Sequence, residues 1–132
     1  MEPARLEHIP LFTDLSAEER AEVAAHLREV TVDSGTSLVT QGENAYQLFV
    51  IEAGDADVRM DGKVVRTLGA GDAFGEIGLL ATGTRTASVV ATSPMRLVAM
   101  FSRDFRQLER RLPRVAESLR KTMAERVAET SF

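Results

Sequence analysis

Apolar and polar residues alternate along most of the middle of the chain. Ala56, Val58 and Met60 alternate with polar neighbours, a period typical of a strand with one buried face. The run Leu48-Phe49-Val50-Ile51 is continuously apolar, which indicates a strand buried on both faces. Similar short patterns predict further strands at residues 30–32, 38–39, 64–68, 89–91 and 97–101.

Turn residues separate these strands. Asp61-Gly62 stands between two of them and is a dipeptide typical of a two-residue β-hairpin. Short strands at regular spacing, with no helix between them, favour an antiparallel sandwich or barrel over a parallel α/β sheet. We therefore expect a mainly β domain, with a sandwich or barrel over residues 28–101 and flanking helices.

A helical segment is predicted before the barrel, over residues 9–27. Ser16 and Glu19 have the spacing of a capping box, in which each side chain bonds the backbone N–H of the other residue. The helix that follows carries Val23 and Leu27 on one face.

Two further helices are predicted after the barrel, over residues 102–130. Ser102 is expected to cap the first, which carries Phe105 and Leu108, and Pro113 is expected to be the first residue of the second. Apolar residues recur every four positions along that last helix, at Val115, Leu119 and Met123. This stripe either packs on the barrel of its own chain or pairs with a second copy or another protein.

Length and composition limit the classes of function. The 132 residues suit one domain, and the net charge of -4 argues against direct nucleic-acid binding, which needs a basic patch. The chain has no cysteine, and its two histidines, His8 and His26, have no partner at metal-binding spacing. No membrane-spanning run or signal peptide is evident. We expect a cytoplasmic, non-enzymatic domain without a cofactor.

The candidate chemistry lies in residues 74–89. Glu76 and Arg85 are nine positions apart, and residues 77–80 between them are long enough for about one helical turn. The free N–H groups of such a turn, with a guanidinium beside them, would cradle a phosphate. A carboxylate only accepts hydrogen bonds, so it would suit a neighbouring hydroxyl, and a ribose phosphate offers both groups. A surface ion pair between Glu76 and Arg85 is the alternative.

This stretch resembles the phosphate-binding cassette of cyclic nucleotide-binding domains. The resemblance rests on Phe74-Gly75-Glu76 followed, after a familiar gap, by Arg85-Thr86-Ala87-Ser88-Val89. It implies a jelly-roll β-barrel with flanking helices and a single domain over residues 1–132, with the cassette at 74–89.

The resemblance also implies a role for each matching residue. Glu76 would bind the ribose 2′-hydroxyl and Arg85 the phosphate, while N–H groups complete the cradle at Gly75, Ile77, Gly78, Thr86 and Ala87. The base pocket would be lined by Phe74, Val64 and Val89, for which plain core packing is the favoured alternative. The last helix often closes over the base in this family, which makes Arg120, Met123 and Arg126 candidates for a cap.

The implied function is that of a sensor for cAMP or cGMP, with cAMP the more frequent ligand in the family. Its C-terminal helices would respond to the ligand. The alternative is an interaction or dimerisation module that keeps the fold without the ligand, using its last helix to bind a second copy or an effector protein. The chain is expected either to stand alone or to be the regulatory domain of a channel, a transporter or a transcription regulator.

Overall fold

The computed structural model describes residues 2–42, 47–74 and 87–130, with side chains described as far as Lys121. Short 3₁₀ helices at Pro3–His8 and Pro10–Phe12 precede helix α1 (Ala17–Ala24). The helical lead-in thus begins earlier than the sequence predicted. Leu27 is buried although it lies beyond the end of α1, so its place on a helical face was wrong.

The capping box at the start of α1 is confirmed. The hydroxyl oxygen of Ser16 accepts a hydrogen bond from the N–H of Glu19 at 3.1 Å. The carboxylate of Glu19 accepts one from the N–H of Ser16 at 2.8 Å. Two N–H groups at the helix start are satisfied in this way, and such a cap stabilises a helix by about 1 kcal/mol.

The barrel consists of two antiparallel four-stranded sheets with flanking helices, as the sequence predicted. Sheet A has the order β1-β8-β3-β6, and sheet B has the order β2-β7-β4-β5. The strands of the described residues are β1 (Arg28–Val32), β2 (Ser37–Val39), β3 (Gln47–Ala53), β4 (Ala56–Met60), β5 (Lys63–Leu68), β6 (Ala73–Phe74), β7 (Ser88–Ala91) and β8 (Met95–Phe101). The pattern of apolar residues had not indicated β6, because a strand of two residues shows no periodicity.

Sheet A separates two hydrophobic cores. Phe49 and Ile51 of β3 belong to the core between the two sheets. Leu48 and Val50 of the same strand belong to the core between sheet A and the helices. Successive side chains of a strand point to opposite faces, so a strand between two cores must be apolar throughout. This confirms that the apolar run of β3 is buried on both faces.

The hairpin between β4 and β5 has the turn that its sequence predicted. Asp61 has φ 52° and Gly62 has φ 79°, the positive values that a type I′ turn requires. A register shift follows the turn, because Arg59 pairs with Val64 whereas Val58 pairs with Arg66. Val65 is the extra residue of this β-bulge.

Two helices follow the barrel, α2 (Ser102–Arg111) and α3 (Pro113–Thr130). Pro113 begins α3, as predicted. Ser102 is the first residue of α2 and Phe101 occupies the N-cap position, so the prediction that Ser102 caps this helix was wrong by one residue.

The described side chains of the α3 stripe pack on the barrel of their own chain. Val115 and Leu119 are buried in the same core as Phe105 and Leu108 of α2 and Met100 of β8. The side chain of Met123 lies outside the described residues. No helix in the described part of the chain is both long and apolar enough to cross a membrane.

Candidate functional site

Most of the predicted cassette lies outside the residues that the structure describes. The predicted site residues that lie outside the described part are Gly75, Glu76, Ile77, Gly78, Arg85 and Thr86. The structure does describe the residue on each side of this segment. Phe74 ends β6 and Ala87 directly precedes β7, so the fold sets where the cassette begins and ends.

The entry to the cassette is fixed against β3. The ring of Phe74 stacks on the ring of Phe49, with centroids 5.1 Å apart and planes inclined by 16°. The turn before it is bonded to the same strand. Gly71 donates its N–H to the carbonyl of Ile51 at 2.8 Å, and the carbonyl of Asp72 accepts from the N–H of Ile51 at 2.9 Å. Ring stacking and backbone bonds together hold this end of the cassette on sheet A.

The exit from the cassette is fixed on sheet B. Ala87 is buried, and the hydroxyl oxygen of Ser88 accepts a hydrogen bond from the N–H of Gln41 at 2.9 Å. The side-chain oxygen of Gln41 accepts from the N–H of Asp61 at 2.9 Å, and its amide nitrogen donates to the carboxylate of Asp61 at 3.0 Å. Gln41 therefore joins the cassette exit to the β4–β5 hairpin. This link could not be predicted from the sequence, because one amide in a turn carries no periodic signal.

The three candidate base-pocket residues lie in different surroundings. Phe74 and Val89 are buried in the core between the sheets, which confirms the core packing expected for them. Val64 is 53% exposed, so core packing was wrong for this residue. The bulge at Val65 and the edge position of β5 in sheet B account for its exposure. Contact of these residues with a base stays a prediction.

Arg120, predicted as a cap residue, connects α2 and α3. Its guanidinium donates to the carboxylate of Glu109 on α2 and lies 5.3 Å from the ring centroid of Phe105. It also lies 3.5 Å from the carboxylate of Glu117 on α3. The hydrogen bond with Glu109 raises the pKa of Arg120 above its ordinary value. The cap role of Arg120 stays a prediction, and the side chains of Met123 and Arg126 lie outside the described residues.

The described part of the chain offers no grouping of three or more histidine, cysteine, aspartate or glutamate side chains that would hold a metal ion. Within that part, the features that bear on the predicted site are the two anchored flanks of residues 75–86.

Comparison with known proteins identifies the family. The sequence pattern of the cyclic nucleotide-binding domain matches residues 29–111, which is more than half of the chain. The chain belongs to the cyclic nucleotide-binding domain family, and its two antiparallel sheets with flanking helices are the jelly-roll fold of that family.

Two named proteins that are similar to this chain agree with the family assignment. The chain is 34% identical over 105 residues to a cAMP-dependent protein kinase regulatory subunit of Yarrowia lipolytica, a match that covers 78% of the chain and 28% of that protein. It is 33% identical over 128 residues to the cyclic AMP receptor protein of Thermus thermophilus, with 93% and 59% covered. The chain thus spans less than two thirds of the length of each of these relatives.

A solved structure matches over nearly the full length of both chains. It is the N-terminal domain of a transcriptional regulator from Streptomyces coelicolor, with a TM-score of 0.79 and 30% sequence identity. The match covers 96% of this chain and 94% of that one.

Proposed function

We propose that this domain binds cAMP or cGMP through residues 74–89 and acts as a non-catalytic sensor. The observation that supports this most directly is the anchoring of both flanks. Phe74 is held on sheet A and Ser88 on sheet B, so the two ends of the predicted cassette are anchored on different sheets of the barrel. A family motif at that place in the family fold favours a working nucleotide site.

Each charged residue of the motif has a distinct role in this proposal. The guanidinium of Arg85 pairs with the exocyclic phosphate oxygens, because its fixed donors match their geometry. The carboxylate of Glu76 accepts a hydrogen bond from the ribose 2′-hydroxyl. The N–H groups complete the phosphate cradle, and they come from Gly75, Ile77, Gly78, Thr86 and Ala87.

The sensor role rests on helices α2 and α3. They pack on the outer face of sheet A, while the entry to the cassette is fixed on the inner face of the same sheet. Relatives named as a kinase regulatory subunit and a cyclic AMP receptor support a regulatory use of the domain. In this proposal an effector protein responds to the position of α2 and α3.

The alternative of a ligand-free dimerisation module has less support. It uses the apolar stripe of α3 as a surface, but Val115 and Leu119 of that stripe are already buried within the chain. Among the described side chains, this stripe leaves no apolar surface for a second copy.

Isothermal titration calorimetry on the purified domain tests the proposal. The titrants are cAMP, cGMP and inorganic phosphate, and the variants are Arg85→Ala and, as a control, Arg114→Ala at an exposed position of α3. We expect Arg85→Ala to weaken nucleotide binding by about 2–5 kcal/mol, because a charged hydrogen-bond partner is lost from a shielded site. Arg114→Ala should leave the affinity unchanged. If neither nucleotide binds the wild-type domain, the proposed function is wrong.

A further inference from the structure

One face of helix α2 is basic and exposed. Arg103, Arg106 and Arg110 follow one another at the three- and four-residue spacing that places side chains on the same side of a helix, and all three are exposed. Phe105 and Leu108 occupy the opposite side and are buried in the core between sheet A and the helices. The core therefore holds α2 with its three arginines directed towards solvent, along about 10 Å of helix.

These three arginines have no carboxylate partner in the part of the chain that the structure describes. Two other arginines of α2 and α3 do have one. Arg111 lies 3.6 Å from the carboxylate of Glu22 on α1, and Arg120 forms an ion pair with Glu109. A guanidinium has several N–H donors and no acceptor, so the donors of the exposed face remain available to a ligand outside the chain.

A recess lies at the N-terminal end of this basic face. It has a volume of about 350 Å³ and is lined by Phe101, Ser102, Arg103 and Arg106. Two guanidinium groups lie against the ring of Phe101, that of Arg28 at 4.7 Å and that of Arg103 at 5.0 Å from its centroid. Arg28 belongs to β1, so the ring brings together positive charges from sheet A and from α2. Like charges held this close repel each other, and an anion in the recess relieves the repulsion.

The distribution of charge restricts what can bind this surface. Residues 102–121 contain seven basic and three acidic residues, whereas the whole chain has a net charge of -4. A nucleic acid needs a broad basic surface, so the acidic remainder of the domain repels it. A helix that lies on a membrane needs an exposed apolar face, but the apolar face of α2 is buried. A short acidic segment of a protein meets both limits, because it can pair with the local arginines without reaching the acidic remainder.

We propose that Arg28, Arg103, Arg106 and Arg110 form a docking surface for an acidic segment of a partner protein. The inference goes beyond the proposed function and does not depend on it, since this surface needs no bound nucleotide. Aspartate or glutamate side chains of the partner accept hydrogen bonds from the guanidinium groups, each of which can give two parallel bonds to one carboxylate. One carboxylate enters the recess beside Phe101, and another pairs with Arg110 further along the helix.

The test uses a fluorescein-labelled peptide with glutamate at every second position, whose binding to the full chain is followed by fluorescence anisotropy. We expect Arg106→Met to weaken binding about two- to fivefold, and the double variant Arg103→Met and Arg106→Met about tenfold, since each exposed charge pair contributes modestly. Arg96→Met is the matched control. Arg96 is exposed on β8 and lies five residues before Phe101, roughly 17 Å away, so its loss should leave the affinity unchanged.

A second measurement needs no substitution, in case a variant fails to fold. In two-dimensional NMR spectra of the isotope-labelled chain, the glutamate peptide should shift the amide signals of residues 101–110. The signals of β4 and β5 should stay in place. A peptide with glutamine in place of every glutamate should produce no shifts, because its amides carry no charge.

Several results would overturn the inference. The wild type might not bind the peptide, the double variant might bind it as tightly as the wild type, or the shifts might spread over the whole surface. Tighter binding of duplex DNA or of phosphatidylserine vesicles than of the peptide would assign this face to a nucleic acid or a membrane instead. All these measurements are made without nucleotide, so a domain that binds neither cAMP nor cGMP would overturn the proposed function alone.

Discussion

Phe74 and Phe49 stack face to face across the β3–β6 pair, with ring centroids 5.1 Å apart. Phe74 belongs to the core between the two sheets, and it directly precedes Gly75 of the predicted cassette. One side chain therefore serves the stability of the barrel and the position of the cassette entry.

Phe74→Leu is expected to weaken nucleotide binding as well as stability. The substitution removes the ring stacking and leaves a small cavity, at a cost of about 1–3 kcal/mol of unfolding free energy. Loss of the stacked ring also loosens the start of the cassette, so affinity should fall several-fold in calorimetry. Phe12→Leu is the control, because Phe12 is fully buried in the other core. If both variants lose the same stability and neither loses affinity, Phe74 does not position the cassette.

Glu76→Gln should reduce affinity less than Glu76→Ala, because an amide oxygen still accepts from a hydroxyl. A double cycle with the 2′-deoxy nucleotide tests the contact directly. The 2′-deoxy ligand should bind the wild type poorly and lose little more affinity on Glu76→Ala, since contacting groups couple. Losses that simply add would show that Glu76 and the 2′-hydroxyl do not touch.

Hydrogen exchange should report the response of the helices to the nucleotide. A ligand shifts a conformational equilibrium only through different affinity for the two states. We expect saturating nucleotide to slow exchange in residues 75–87 and also in residues 115–127, because α3 packs on the sheet that holds the cassette entry. The measurement is exchange followed by mass spectrometry with and without nucleotide. Slowing confined to the first segment would indicate binding without this response.

Gly54→Ala should destabilise the domain far more than Gly42→Ala. Both glycines have positive φ, 101° and 88°, so each alanine pays a similar backbone strain, on the order of 1 kcal/mol. A Cβ at Gly54 would also lie 2.5 Å from the carbonyl oxygen of Pro94, whereas one at Gly42 meets nothing within 4 Å. Urea unfolding of both variants gives the comparison, and equal losses would show that the approach of Pro94 imposes no extra strain.

Strands in which burial alternates were predicted correctly from alternating apolar and polar residues. β4 has this pattern because one face meets the core and the other meets solvent. The two strands that sheet A buries on both faces, β3 and β8, were found from uninterrupted apolar runs instead. The hairpin turn was predicted because Asp61-Gly62 suits two positive φ values.

The errors arose where tertiary contacts or a register shift outweighed local pattern. Leu27 belongs to the core between sheet A and the helices although it lies beyond the end of α1, so its burial does not depend on a helical face. Val64 was expected in the core, but the bulge at Val65 changes which residues of β5 face inward. Because of the same bulge, the inward orientation of Arg66 could not be predicted from the sequence. It follows only from the pairing of Arg66 with Val58.

The same distinction between local pattern and long-range contact applies to the candidate site. Glu76 and Arg85 could be predicted from the sequence, because opposite charges, glycines and their spacing form a local motif, and their roles stay predictions. Gln41 was missed because it acts across the fold, on Ser88 and Asp61, which are far from it in sequence. Contacts of this kind depend on the path of the whole chain and leave no local signal.

Sheet A forms the boundary between two separate cores, and its central strands β3 and β8 are packed on both faces. Neighbouring residues of β3 belong to different cores, Leu48 to the core between sheet A and the helices and Phe49 to the core between the two sheets. A larger side chain on either face of β3 cannot move into solvent, so it must push the strand towards the core on the other face. Substitutions in β3 that fit poorly in the core between the two sheets should therefore shift α2 and α3, even though they contact neither helix.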